Sequence, residues 1–201
     1  MSSDNQVVRK GDLVIKTYGS HLNYLREAGI YEKLNGSGLA PEVTFTGHDT
    51  LEHRFVEGET LYDRMLAEYE SSDLLEEDLK RFFSWYAAFR EKTGNSLEQL
   101  DLHKFILSAD GLLYLDFEHC KASFMEGDLA EALAQLYAMK EPFSGRAHEV
   151  LCAFLRLARQ YFDINGMRLA EAFSQALQKA CSKAGVNYDA ETAEKEKTFM
   201  V

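Results

Sequence analysis

Charged side chains sit at the ends and on the faces of apolar runs in this chain. Lys16 closes the β-branched run Val14-Ile15-Lys16, Glu27 falls in a stretch with helically spaced apolar residues, and Asp116 ends the run Leu113-Tyr114-Leu115. An ammonium on a flexible stem needs an anchoring carboxylate to act at a fixed point. An aspartate at the end of an apolar strand is costly to bury without a partner. Glu118 follows Asp116 by two positions, and Asp101-Leu102-His103 precedes it. His103 and His119 with Asp116 and Glu118 would offer a mixed metal-ligand set, but their spacing matches no standard metal motif. The sequence contains no nucleophile-elbow string, Walker loop or dinucleotide glycine fingerprint.

The elements that must position these residues follow from periodicity and breakers. Leu13 to Ile15 reads as a strand, and residues 21–34 as a helix carrying Leu22, Leu25, Ile30 and Leu34, stopped by Asn35-Gly36-Ser37-Gly38. Residues 42–46 and 51–56 read as paired strands around the turn Gly47-His48-Asp49-Thr50. Two helices are expected at about 60–70 and 73–92, the second with Leu75, Leu79, Phe82, Phe83, Tyr86 and Phe89 on one face. The runs 105–107 and 112–115, joined by Ser108-Ala109-Asp110-Gly111, give a hairpin signal. The remainder reads as helices at about 128–139, 145–162 and 167–183, with Ser144 as an N-cap and Gly185 as a stop.

The chain has 201 residues, 46 % of them apolar, which suits one domain built from a small lobe and a larger one. No apolar run is long enough to span a bilayer. The polar start Met1-Ser2-Ser3-Asp4-Asn5 lacks a signal-peptide core, so a cytoplasmic location is expected. Cys120, Cys152 and Cys181 are far apart and odd in number, and read as reduced, mostly buried thiols. A formal net charge of −11 argues against broad binding to a nucleic-acid backbone.

In this order the landmarks resemble those of the protein-kinase-like superfamily. The likeness is greatest to its small atypical members: lipopolysaccharide-core kinases, aminoglycoside-phosphotransferase-like enzymes and Rio-type kinases. The resemblance covers about residues 12–140. It implies an α+β, two-lobed kinase-like fold, with a reduced antiparallel N-terminal lobe (about 1–57), a helical C-terminal lobe (about 58–188) and a charged tail (about 189–201). It further implies that Lys16 contacts nucleotide phosphates and that Glu27, with Glu32 as second choice, anchors it. The string Phe55-Val56-Glu57-Gly58-Glu59-Thr60-Leu61 resembles the segment that passes the adenine ring, making Phe55 and Glu57 nucleotide-binding candidates. Leu113-Tyr114-Leu115-Asp116-Phe117-Glu118 resembles the Asp-Phe-Gly element, so Asp116 is the expected magnesium ligand, with Glu118 in the glycine's place as a second one. Gly127-Asp128-Leu129-Ala130 resembles the helix start whose Asp supports the catalytic loop, although a plain N-cap reading of Asp128 stands beside it.

Two departures qualify the likeness. A full glycine-rich hairpin barely fits ahead of Lys16, where Gly11 is the sole glycine, so poor cover over the phosphates is expected. In the segment Glu98-Gln99-Leu100-Asp101-Leu102-His103-Lys104 the family's catalytic Asp falls on Gln99 if no gap is allowed. It falls on Asp101 if the loop is two residues shorter. Under either reading the family's metal-binding Asn is missing. The implied activity is an ATP- and magnesium-dependent phosphotransferase acting on a small-molecule, sugar or protein hydroxyl, with Asp101 as the catalytic base. The alternative is a catalytically inactive pseudokinase that serves as a binding module.

Overall fold

Gly11, at φ 62°, turns the chain back on itself and opens the fold with a hairpin. In the computed structural model, which describes residues 5–186 and 188, β1 (Gln6–Lys10) pairs antiparallel with β2 (Leu13–Thr17), Val7 opposite Lys16. A single strand, β1, therefore precedes the Lys16 strand, and among the described residues no full hairpin forms ahead of Lys16, as expected. β1 itself was hidden because every residue of it is exposed, leaving no in-out alternation to read. Helix α1 (His21–Leu34) follows, then β3 (Val43–Phe45) and β4 (Thr50–Arg54). The four strands form one antiparallel sheet in the order β1-β2-β4-β3. Gly47 and Asp49, both at positive φ, make the β3–β4 turn.

The segment after β4 leads into a two-residue strand, β5 (Glu59–Thr60), then α2 (Leu61–Ala67) and the long α3 (Ser72–Thr93). A short 3-10 turn (Leu102–Lys104) precedes β6 (Phe105–Ser108), and β7 (Gly111–Tyr114) completes a second sheet in the order β5-β6-β7. Gly58 is required at the approach to β5. A Cβ there would lie 2.2 Å from the Leu107 carbonyl oxygen. Helices α4 (Met125–Tyr137), α5 (Gly145–Tyr161) and α6 (Gly166–Ala184) complete the larger lobe. Ser144 caps α5 by accepting from the Ala147 N–H, and Gly185 ends α6 at φ 69°.

The architecture is the α+β, two-lobed kinase-like arrangement, with an antiparallel sheet first and helices after it. One hydrophobic cluster runs through both lobes. Tyr18, Ile30, Tyr31, Leu34 and Leu51 join it from the smaller lobe, and Phe82, Trp85, Phe89, Tyr114 and Phe117 from the larger. Helix α4 begins three residues earlier than its apolar spacing suggests, with Phe124 at the cap. Asp128 therefore lies inside the first turn, and the plain N-cap reading of it is corrected. The charged tail from 189 lies outside the described residues. Among the described residues no helix is long and apolar enough to cross a membrane.

Candidate active site

The cleft-side ends of β2, α1 and β7 converge on one ammonium. Lys16 projects from β2 and is almost wholly buried, so its charge must be matched locally. Its Nζ lies 2.7 Å from Glu27 Oε2, 3.0 Å from Asp116 Oδ1 and 3.8 Å from Glu118 Oε2. Burial works against the ammonium, but the charges of Glu27 and Asp116 outweigh it and hold its pKa above the ordinary lysine value. Glu27 is fully buried. Its other oxygen accepts from the Phe117 N–H at 3.2 Å, so α1 grips the segment that carries Asp116. Tyr31, one turn further along α1, donates to the Leu115 carbonyl at 3.2 Å, and Arg26 donates to the Glu118 carbonyl at 3.2 Å. Glu32, the alternative anchor, is exposed on the other side of the helix.

Asp116 has a second cation. Lys104 Nζ donates to Asp116 Oδ2, so the two carboxylate oxygens face two ammonium groups. Burial opposes ionisation of Asp116, yet the two lysines prevail and hold its pKa at about 2. The carboxylates of Glu27, Asp116 and Glu118 each offer an oxygen within 4.8 Å of the others. All three carboxylates are engaged within the protein, Glu27 by Lys16 and the Phe117 N–H, Asp116 by Lys16 and Lys104, and Glu118 by Asn5 and His119. Asp116 and Glu118, unlike Glu27, are only partly buried, and their hard oxygens are the donor type a magnesium-class ion takes. Asn5 was not singled out by any sequence pattern. It donates to Glu118 Oε2 and accepts from the Gly19 N–H at 3.3 Å, tying the start of β1 to the same corner.

The loop from Ser96 to Lys104 is built on Asp128. The Asp128 carboxylate accepts from the Leu97 N–H at 2.6 Å, the Glu98 N–H at 2.8 Å and the Tyr86 hydroxyl at 2.6 Å. Burial raises the Asp128 pKa against those three bonds. Glu98, held by one of them, has φ 68°, an uncommon conformation for a residue with a side chain. Asp101 then caps the 3-10 turn, accepting from the His103 N–H at 3.0 Å and lying 2.9 Å from His103 Nδ1. Partial burial opposes its ionisation, but these bonds lower its pKa below the ordinary value.

Gln99 and Asp101 line the same cavity of about 410 Å³, with His103, Lys104, Tyr62 and Lys179. The His103 ring stacks on Tyr62 with centroids 4.0 Å apart. One oxygen of Glu131, buried at this cavity, has no hydrogen-bond partner within the protein. Gln99 is exposed and Asp101 half-buried, so the cavity draws on both residues that compete for the base position. Lys104 links the two halves of the site, since it lines the cavity and also pairs with Asp116.

Phe55 and Glu57 lie on the segment between β4 and β5, both exposed. The Arg9 guanidinium sits 3.4 Å over the Phe55 ring centroid, and the Phe55 N–H donates to the Asp12 carbonyl at 2.7 Å. The linking segment is thus braced by the β1–β2 hairpin. His119 pairs with Glu118 at 3.1 Å, while His103 is turned toward Asp101 and Tyr62, so the two histidines are not drawn to one point.

No protein-family model and no curated protein matches the sequence. Among solved structures, the chain is similar to an amicoumacin kinase in complex with AMP-PNP, Ca2+ and Ami, with TM-score 0.51 and 12 % identity. The similarity covers 100 % of this chain and 87 % of the other. At that identity the likeness is one of fold.

Proposed function

We propose that this chain is an atypical, ATP-dependent phosphotransferase that acts on a hydroxyl of a small molecule or sugar. The observation that carries the reading is the buried Lys16–Glu27 pair, set 3.0 Å from the strand-end Asp116. A buried ion pair is costly to assemble and weak as a source of stability. Its position beside a second and a third carboxylate favours a role in binding polyphosphate and its counter-ion. The structural neighbour, described in complex with a nucleotide analogue and a divalent ion, supports the same reading.

In this mechanism Lys16 fixes the phosphates, with Glu27 holding its ammonium. Asp116 and Glu118 would hold magnesium, which supplies neutralisation of phosphate charge when bound. Asp101 accepts a hydrogen bond from the acceptor hydroxyl, orients it, and takes its proton as the hydroxyl oxygen bonds to the γ-phosphorus and the bond from that phosphorus to the β–γ bridging oxygen breaks, ADP leaving with the bonding pair. Its lowered pKa favours orientation over strong basicity. The cavity beside it, with the Tyr62–His103 stack on one side and the Glu131 oxygen on another, suits a hydroxylated small molecule.

The test is transfer of the γ-phosphate from ATP, or hydrolysis of ATP, by the wild type and by Asp101→Asn. We expect turnover to fall on the order of 10²-fold or more in the variant. Equal turnover in both proteins would remove Asp101 from the chemistry.

A second reading, the pseudokinase, is favoured by one observation: Lys104, which falls at the family's metal-binding Asn if no gap is allowed, pairs with Asp116. On that reading the wild type shows a nucleotide-dependent thermal shift but no turnover. Lys104→Asn separates the two. Greater magnesium dependence of nucleotide binding in that variant supports the pseudokinase. Loss of existing turnover supports a working role for Lys104.

A further inference from the structure

A second cluster of ligating side chains lies at the far end of α1, away from the cleft. His21 is the first residue of α1, and His48 and Asp49 form the β3–β4 turn. His21 Nδ1 lies 2.5 Å from Asp49 Oδ1, and His48 Nδ1 lies 3.0 Å from Asp49 Oδ2. The two imidazole rings are 5.3 Å apart, and one ligand atom from each of the three residues falls within 4.8 Å of the others.

The groups are held from behind. The Tyr18 N–H donates to the Asp49 carbonyl at 2.9 Å, and the Thr46 N–H donates to the Thr50 carbonyl at 3.0 Å across the turn. Tyr24 stacks beside His21 at 6.1 Å and meets Phe45 edge-on at 6.4 Å. The Asp49 side chain is mostly covered, while both histidines face solvent, which leaves a coordination position open to water.

We propose that His21, His48 and Asp49 form a binding site for a divalent transition metal ion of the zinc class. Two imidazole nitrogens and one carboxylate oxygen are a donor set for zinc, cobalt, nickel or copper rather than for magnesium or calcium. Tetrahedral coordination at zinc–nitrogen distances of about 2.0–2.1 Å places neighbouring donors about 3.4 Å apart. The two imidazole–carboxylate spacings, 2.5 Å and 3.0 Å, lie within about 1 Å of that value, and both rings are exposed. The ion ties the β3–β4 turn to the start of the helix that carries Glu27. The site stands independently of the phosphotransferase reading, because none of its three residues touches Lys16, Asp116 or Glu118.

The test is titration of the metal-free full chain with cobalt(II), followed by visible absorption, and with zinc(II), followed by calorimetry. Magnesium serves as the control. We expect one equivalent of zinc or cobalt to bind, with magnesium not competing. His48→Ala should bind at least about tenfold more weakly. The His48 side chain is 85 % exposed, so its removal leaves the fold intact. His21→Gln provides a second, independent loss. Equal zinc affinity in wild type and both histidine variants, or displacement of the ion by magnesium, overturns the proposal.

Discussion

Lys16 is the residue on which the smaller lobe's electrostatics turn. It is met by three carboxylates, and Glu27, the nearest, is wholly buried. Removing the ammonium strands that charge in a low-dielectric interior, which is far costlier than never burying the pair. Lys16→Met should therefore lower unfolding free energy by about 3 kcal/mol in urea titrations and abolish any nucleotide-dependent thermal shift. Asp128 makes a parallel case in the other lobe, since its carboxylate satisfies two backbone N–H groups of a loop that has no ladder of its own. Lys16, Glu27, Asp116 and Asp128 were legible through their order along the chain, a strand lysine, a helix glutamate, a strand-end aspartate and a helix-start aspartate. Lys104 and Asn5 meet their partners across 12 and 113 residues of sequence, and no local pattern encodes such a meeting.

At the scale of elements, the strands and helices with one covered face were readable from their periodicity, α1, α3 and the β6–β7 hairpin above all. The elements without such a face were not. β1 is exposed throughout, β5 is two residues long, and the turn at Leu102–Lys104 is too short for a helical repeat. The start of β5 depends on contact rather than on pattern. A methyl group at Gly58 would meet the Leu107 carbonyl oxygen at 2.2 Å and Ile106 Cγ2 at 2.7 Å. Gly58→Ala must push β5 away from β6, and with it the segment joining the lobes. We expect a loss of about 2 kcal/mol in thermal unfolding, together with weaker nucleotide binding. A loss of stability with binding unchanged would show that the segment repositions without consequence for the cleft.

For the whole molecule, acid is the informative perturbation. Asp116 has a folded pKa of about 2 against an ordinary value of 3.8. Its contribution to stability is complete above the ordinary carboxylate range and is lost as pH falls toward 2. Asp128 is raised by burial and acts with the opposite sign, favouring the folded state most when protonated. Urea midpoints measured from pH 5 down to 2 should therefore show wild type and Asp116→Asn converging as the pH drops. Curves that stay parallel would mean that Lys16 and Lys104 do not hold the carboxylate in the folded state.

The seam between the lobes also constrains the order in which the molecule can be made. Residues 1–57 are synthesised first, yet Tyr18, Ile30, Tyr31, Leu34 and Leu51 belong to a core completed by α3, β7 and Phe117. The second hydrogen bond to buried Glu27 comes from a backbone amide 90 residues further along. A nascent chain that has emerged only as far as β4 thus has a sheet with one unsupported face and a carboxylate with no place in an apolar interior. Domains generally fold as units as they emerge from the ribosome. Here the core of the first lobe and the pairing of Glu27 are completed by the Asp116 segment, so the residues that form the candidate site also close the fold.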